Sequence, residues 1–312
     1  MEASFVRLAH EASVLSPQTN NHESTTMKMK AFIATFIAAA LVTACAATDS
    51  SSTATNSTDS RAQNYRSVAE IQDSGFITIG VFSDKSPFGY VNSSGEYAGY
   101  DIEYGNRIGQ DLNVAISYVP VEAASRVEFL STNKVDLILA NFTVTSQRAE
   151  KVDFAQPYMK VSLGLVSPDS KPINDEADLV GKNIIVVKGT TAETYLESTY
   201  PELKLQKYDQ YTEATNALAD GRGDAWVTDN TEALAWVENN NGFSTTITSL
   251  GNVDTIAGAV AKGNTSLLNW LNDELIVLGE ENFFHKNFTK TLQPVYGDQI
   301  NPDELVVEGG QL

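Results

Sequence analysis

From Phe76 onward the chain alternates short runs of β-branched and apolar residues with longer segments of helical spacing. "FITIGV" is followed by "YDIEYGNRIGQDL", "VAISYVPV" by "ASRVEFLSTN", and "VDLILA" closes the series. Strand-sized apolar runs separated by helical periods predict an α/β unit with a mainly parallel sheet. The alternation restarts after "SLGLVS": "NIIVVK" precedes "TAETYLESTY", "LKLQKY" precedes "TEATNALADG", and "DAWVT" precedes "NTEALAWVENN". Two similar α/β units are therefore expected in succession. A last strand-like run, "TIAGAVA", leads into "SLLNWLNDELIVLGEENFFHKNF", whose spacing suits helices covering a sheet already built. This tail is expected to return to the first unit. No short repeat period is present, which excludes a solenoid.

Ahead of Tyr65 the pattern changes. "MKMKAFIATFIAAALVTAC" sets Lys28 and Lys30 before an apolar stretch from Ala31 to Ala44, too short for a stable membrane span and typical of a secretory signal peptide. Residues 1–26 lie upstream of that signal and are read as an extension preceding an initiator at Met27 or Met29. Cys45 follows Val42, Thr43 and Ala44 in "LVTAC", which resembles a bacterial lipobox, so Cys45 is expected to carry an acyl anchor. It is the single cysteine, which excludes a disulfide within the chain. Residues 45–64 form a Ser/Thr/Asp tract with the composition of a flexible tether, and the folded domain is expected to begin near Tyr65.

With 40 acidic against 21 basic residues, the formal charge of −19 argues against nucleic acid as a partner. His285 is the one histidine after Cys45, so Ser-His-Asp, Cys-His and multi-histidine metal sites lack parts. It reads as a helix-surface or interface residue. No glycine-rich phosphate loop is present. An acid/base carboxylate pair stays open, but position singles out no two of the many carboxylates. No cofactor and no metal are expected.

In open α/β sheets, loops at the carboxyl ends of strands line the ligand crevice, and three such loops carry distinctive chemistry. After "VDLILA" come Asn141, Thr143 and Thr145, then Arg148, whose guanidinium fork suits a carboxylate. In "VVKGTTAE", Lys188 precedes Gly189, and Thr190, Thr191 and Ala192 would present amides at a helix N-terminus, a seat for an anion. In "VTDNTE", Asp229 ends a strand just before a helix and offers negative charge to a cation. Each loop has a plainer alternative: helix caps at Thr145, Ser146 or Asp229, and a surface pair between Arg148 and Glu150. Together they supply what an α-amino acid zwitterion needs.

The stretches "GVFSDKSPFGYVNSSGEYAGYDIEYGNRIGQDL", "VDLILANFTVTSQRAEKVDFAQPYM", "VVKGTTAETYL" and "DAWVTDNTEALAWV" resemble the polar amino-acid substrate-binding proteins of ABC importers, solute-binding family 3, from about Val68 to the C-terminus. Within that family "VEAASRVEFL", "KYDQYTE", "FFHK" and the ending "DELVVEGGQL" resemble the cysteine-binding surface-antigen lipoproteins. The resemblance implies a type II periplasmic-binding-protein fold, two α/β lobes joined by two hinge strands. Lobe 1 would comprise residues 65–157 and 258–312 and lobe 2 residues 163–252, with hinges at 158–162 and 253–257.

Carried over by motif, Arg148 would hold the ligand carboxylate with amides from the Thr143 and Thr191 region. Asp229 and the Asn141 carbonyl would take the ammonium group. Lys85 stands where many relatives have an aromatic wall, so stacking would fall to Phe82. Tyr104 also departs from the family signature, a matter of packing. Arg126 would reach the cleft; its alternative is a solvated arginine near Glu122. The implied partners are a free amino acid, cysteine first, and an ABC permease with its ATPase. The membrane would be reached through the lipid anchor, and the protein would be a monomer. Glutamate, aspartate, glutamine and cystine are the alternative ligands. From other classes, a cyclohexadienyl-dehydratase-like enzyme or an adhesin on the same fold are the alternatives.

Overall fold

The computed structural model describes residues 65–297 and 299–312, so the signal peptide, Cys45 and the tether lie outside the described residues. Among the described residues there are eleven strands: β1 Phe76–Val81, β2 Asp84–Lys85, β3 Gly89–Val91, β4 Tyr97–Ala98, β5 Ala115–Pro120, β6 Leu137–Ile138, β7 Val152–Pro168, β8 Asn183–Val187, β9 Lys204–Tyr208, β10 Ala225–Asp229 and β11 Phe243–Ala261. Eight of them form one sheet in the order β5-β1-β6-β11-β7-β10-β8-β9, and β2, β3 and β4 form a small second sheet.

The sheet is mixed rather than mainly parallel. β1 pairs in parallel with β5 and β6, and β8 does so with β9 and β10. Between these two parallel groups run β7 and β11, antiparallel to each other and long enough to belong to both. Each group of parallel strands with its helices is one lobe, and the two long strands cross between them. Near the crossing Asp254 pairs with Val161, Thr255 with Lys160 and Ile256 with Met159, and register shifts fall on both sides of this segment. Pro157 sits at one of these irregularities, where a residue without an N–H interrupts the ladder least.

In lobe 1 the helix Tyr100–Leu112 buries Ile102, Tyr104, Ile108 and Leu112 along one face, as the spacing in "YDIEYGNRIGQDL" predicts. Tyr104 stands edge-on to Tyr158 and Phe284, so its departure from the family signature fills an aromatic core. The C-terminal helices Thr265–Glu280 and Phe283–Thr291 cover this lobe, as expected. The last residues then form a strap: Val306 bridges Met159, and the Val307 amide donates to the Tyr158 carbonyl at 3.1 Å. His285 pins that strap, its ring nitrogens 2.9 Å from Glu308 and 3.0 Å from Asp303. No helix among the described residues is long and apolar enough to cross a membrane.

Candidate functional site

The turn after β6 is built by Asn141, whose φ of 44° places it in the left-handed region that asparagine tolerates best among non-glycine residues. Its amide donates to Asp101 Oδ2 at 2.7 Å, and the other Asp101 oxygen accepts from the Tyr158 hydroxyl at 2.7 Å. The Asn141 side-chain nitrogen and oxygen are both buried with no partner among the described residues. Buried polar groups are nearly always satisfied, so this orphaned amide calls for a partner. Thr143 bridges Ile256 on β11, tying this turn to the crossing segment.

Thr145 caps the short helix Ser146–Ala149 by accepting from the Arg148 amide. Arg148 extends into the cleft, where Nη1 donates to the Thr143 carbonyl at 2.7 Å and Nη2 to the Gly189 carbonyl of lobe 2 at 2.9 Å. Arg126 is not solvated beside Glu122. It is 2% exposed, and Nη1 donates to the Ala140 carbonyl at 3.0 Å, Nη2 to the same Gly189 carbonyl at 3.1 Å. Its Nη1 also lies 3.3 Å from the Asn141 carbonyl, the atom expected to receive an ammonium group. Both guanidinium carbons stand over the Phe142 ring, at 4.3 and 4.8 Å from its centre.

Among the described residues, every hydrogen-bond acceptor of these two guanidiniums is a backbone carbonyl. Two positive charges, Arg126 buried and Arg148 half-buried, therefore lie side by side without a carboxylate in contact among the described residues. Burial first, and Arg126 second, push Arg148 down to about 9.

Gly189 meets these arginines from lobe 2. At φ 73° its own geometry favours glycine, and a Cβ there would lie 2.4 Å from Ala124 Cα of lobe 1, so only glycine lets the lobes approach this closely. Thr190 caps the helix Thr191–Thr199, taking the Glu193 amide. The Thr191 and Ala192 amides, in the first turn, have no partner within their helix. Thr191 and Arg148 face each other across a 280 Å³ cavity that Tyr195 and Asp254 also line. Lys188 is not part of this cluster: its ammonium is partly exposed and pairs with Asp209 at 2.9 Å.

Asp229 stands at the N-cap position of the helix Asn230–Glu238, yet its side chain makes no capping bond. Its Oδ2 lies 2.7 Å from Lys85 Nζ, which crosses from the small sheet of lobe 1. Lys85 is 1% exposed. Its ammonium is also 3.2 Å from Glu232 Oε2 and 3.2 Å from the Tyr211 hydroxyl, and it stands 4.5 Å from the centre of the Tyr211 ring. Phe82 packs edge-on to Tyr211 at 5.1 Å. Burial raises Glu232 to about 7 even with Lys85 and the Thr228 hydroxyl beside it. Next to Lys85, Asp84 accepts from the Tyr211 amide at 2.8 Å and the Thr212 amide at 3.2 Å. It thus caps a lobe 2 helix whose own N-cap residue, Gln210, does not.

The structure brings Arg126, Arg148, Asn141, Thr143, Thr191, Asp229, Phe82 and Lys85 to where the two lobes meet, turns the Ala192 side chain into the core of lobe 2, and leaves Lys188 outside. Sequence reasoning missed Asp101, Glu232, Tyr211 and Asp84. The signals for them were faint: "GYDIE" for the first, and Glu232 three places beyond Asp229 for the second. No group of three or more His, Cys, Asp or Glu among the described residues is arranged to hold a metal ion.

The chain as a whole is similar to known proteins. The profile of the bacterial extracellular solute-binding proteins, family 3, matches residues 77–291. The ABC transporter glutamine-binding protein of Bacillus subtilis is 28% identical over 244 residues, covering 76% of this chain and 89% of that protein. Among solved structures, the solute receptor for L-cysteine of Neisseria gonorrhoeae shares 48% identity with a TM-score of 0.77, over 78% of this chain and all of the other. The cysteine-binding protein of Campylobacter jejuni shares 48% identity with a TM-score of 0.76, over 77% of this chain and 98% of the other.

Proposed function

We propose that this chain, which belongs to the bacterial extracellular solute-binding proteins of family 3, binds one small neutral α-amino acid, cysteine, between its lobes and delivers it to an ABC permease and ATPase. The observation that carries this reading is the pair of guanidiniums of Arg126, buried, and Arg148, half-buried, whose hydrogen-bond acceptors among the described residues are all backbone carbonyls. A ligand carboxylate would supply their missing anion, with the Thr143, Thr191 and Ala192 region adding amides and the orphaned Asn141 side chain a further contact. The ammonium group would go to Asp229, and Phe82 would flank the side chain. Cysteine is favoured over glutamate, aspartate, glutamine and cystine by the two cysteine-binding structures at 48% identity. The family is one of transport binding proteins, so the ligand is carried and not transformed.

Titration calorimetry against the twenty amino acids and cystine tests the reading. The expected result is one tight site with cysteine the tightest ligand. Tighter binding of glutamate, glutamine or cystine would replace cysteine, and no binding of any amino acid would overturn the class.

Lobe closure about residues 158–162 and 253–257 would accompany binding, with residues 65–157 and 258–312 moving against 163–252. The protein would act as a monomer tethered through acylated Cys45. Changing Cys45→Ser is expected to release it from membrane fractions with ligand affinity intact, because a tether of polar residues separates anchor and cleft. A variant that stays membrane-bound would refute the anchor.

A further inference from the structure

Lys85 makes the most unusual contact in the molecule. Its ammonium is sealed between two carboxylates, those of Asp229 at 2.7 Å and Glu232 at 3.2 Å, and it reaches both from the opposite lobe. Buried charges persist only when compensated, and here two negative charges surround one positive charge. One negative charge is left over, enough for the α-ammonium of one zwitterionic ligand at Asp229 while Lys85 keeps Glu232. Among the buried charges of the wider cluster, Lys85 and Arg126 are the cations and Asp101, Asp229 and Glu232 the carboxylates, and the half-buried Arg148 adds a third cation. A zwitterion leaves that balance unchanged. A second cation on the ligand does not, because with Asp229 taken by the ligand's ammonium group and Glu232 by Lys85 no carboxylate in contact with Lys85 remains to receive it.

The direction of the ligand then decides where such a charge would fall. With its carboxylate at Arg126 and Arg148 and its ammonium at Asp229, the side chain must project into what remains of the cleft wall, where Lys85, Phe82 and Tyr211 converge. We infer that Lys85 is a specificity-determining residue that bars amino acids carrying a second positive charge. Its contact with Asp229 is the one that the ligand's own ammonium group would take. This inference rests on the amino-acid reading given above. Two cations brought within about 4 Å of each other in a cleft of intermediate polarity repel enough to weaken binding by ~100-fold or more.

The test uses a pair of ligands that differ in charge and hardly at all in size, L-homoserine and L-2,4-diaminobutyrate, with L-cysteine as reference. Calorimetry on the wild-type protein is expected to show homoserine bound ~100-fold or more tightly than diaminobutyrate. In Lys85→Met that ratio is expected to narrow by ~10-fold or more, because the repelling charge is gone and its two carboxylates are free. Should Lys85→Met fail to fold, Lys85→Met/Glu232→Gln removes one charge of each sign and is expected to narrow the ratio likewise. Asp84→Asn serves as the control for closure alone: it weakens a contact between the lobes and should lower the affinity of both ligands by the same factor. A ratio unchanged in the Lys85 variants, or a wild-type protein that binds diaminobutyrate as well as homoserine, would overturn the inference while leaving the amino-acid receptor in place. A wild-type protein that binds cysteine, homoserine and diaminobutyrate not at all would overturn both.

Discussion

Replacing Arg148 by alanine is expected to remove measurable amino-acid binding while leaving the protein folded. Its guanidinium is held by the carbonyls of Thr143 and Gly189 and lies beside Arg126 over the same Phe142 ring. Truncating one member of a desolvated charge pair typically costs 2–5 kcal/mol, roughly 30-fold to several thousand-fold in affinity. Stability should change far less. Two hydrogen bonds are lost, but so is a half-buried positive charge with no carboxylate in contact, and the opposing effects are expected to leave the stability measured without ligand within ~1 kcal/mol of wild type.

Calorimetry with cysteine, together with urea melts of both ligand-free proteins, measures both effects. Near-wild-type affinity in the variant would remove Arg148 from the site.

The parts of this site that sequence reasoning reached are local. Asn141, Thr143 and Arg148 announce themselves because a polar turn follows a buried strand, and Gly189 to Ala192 because a glycine precedes a helix start. What it missed is held together across long separations. Lys85 meets Asp229 144 positions away, and Asp84 caps a helix that begins 127 positions later. Nothing in the local composition of "SDKSP" says which carboxylates or amides it will face, because that depends on how two lobes meet.

Arg126 was ambiguous for the same reason. In sequence it is an arginine four places from Glu122, and only the fold shows that it turns inward to carbonyls of both lobes. The mixed sheet was hidden differently. β7 and β11 run for 17 and 19 residues, but Pro157, Lys160, Gly251 and several threonines break their apolar patterns. A window-sized reading therefore finds shorter parallel strands and no crossing between lobes.

Asp101 shows what such a missed residue controls. It is 0% exposed, and its two oxygens accept from the Asn141 amide and the Tyr158 hydroxyl, both at 2.7 Å. It thereby couples the left-handed turn of the site to the strand that crosses between the lobes. Asp101→Ala leaves a buried amide and a buried hydroxyl without partners, and each such loss costs ~1–3 kcal/mol. The variant should melt several degrees lower and bind cysteine at least ~10-fold more weakly, because Asn141 loses the contact that fixes its backbone. Asp101→Asn keeps one acceptor and should fall between the two.

Burial holds Asp101 at about 6, above the ordinary carboxylate range, despite both hydrogen bonds. The folded protein therefore keeps its proton to higher pH than the unfolded chain. The stability tied to that shift is complete below about pH 4 and is lost as the pH rises through about 6. The melting gap between wild type and Asp101→Ala should accordingly be widest in acid and narrow toward neutrality, while the affinity gap persists at pH 7. Thermal melts at several pH values, paired with calorimetry at neutral pH, separate the two effects. An Asp101→Ala protein with wild-type affinity and a wild-type melting profile would show that neither the turn nor the crossing strand depends on this carboxylate.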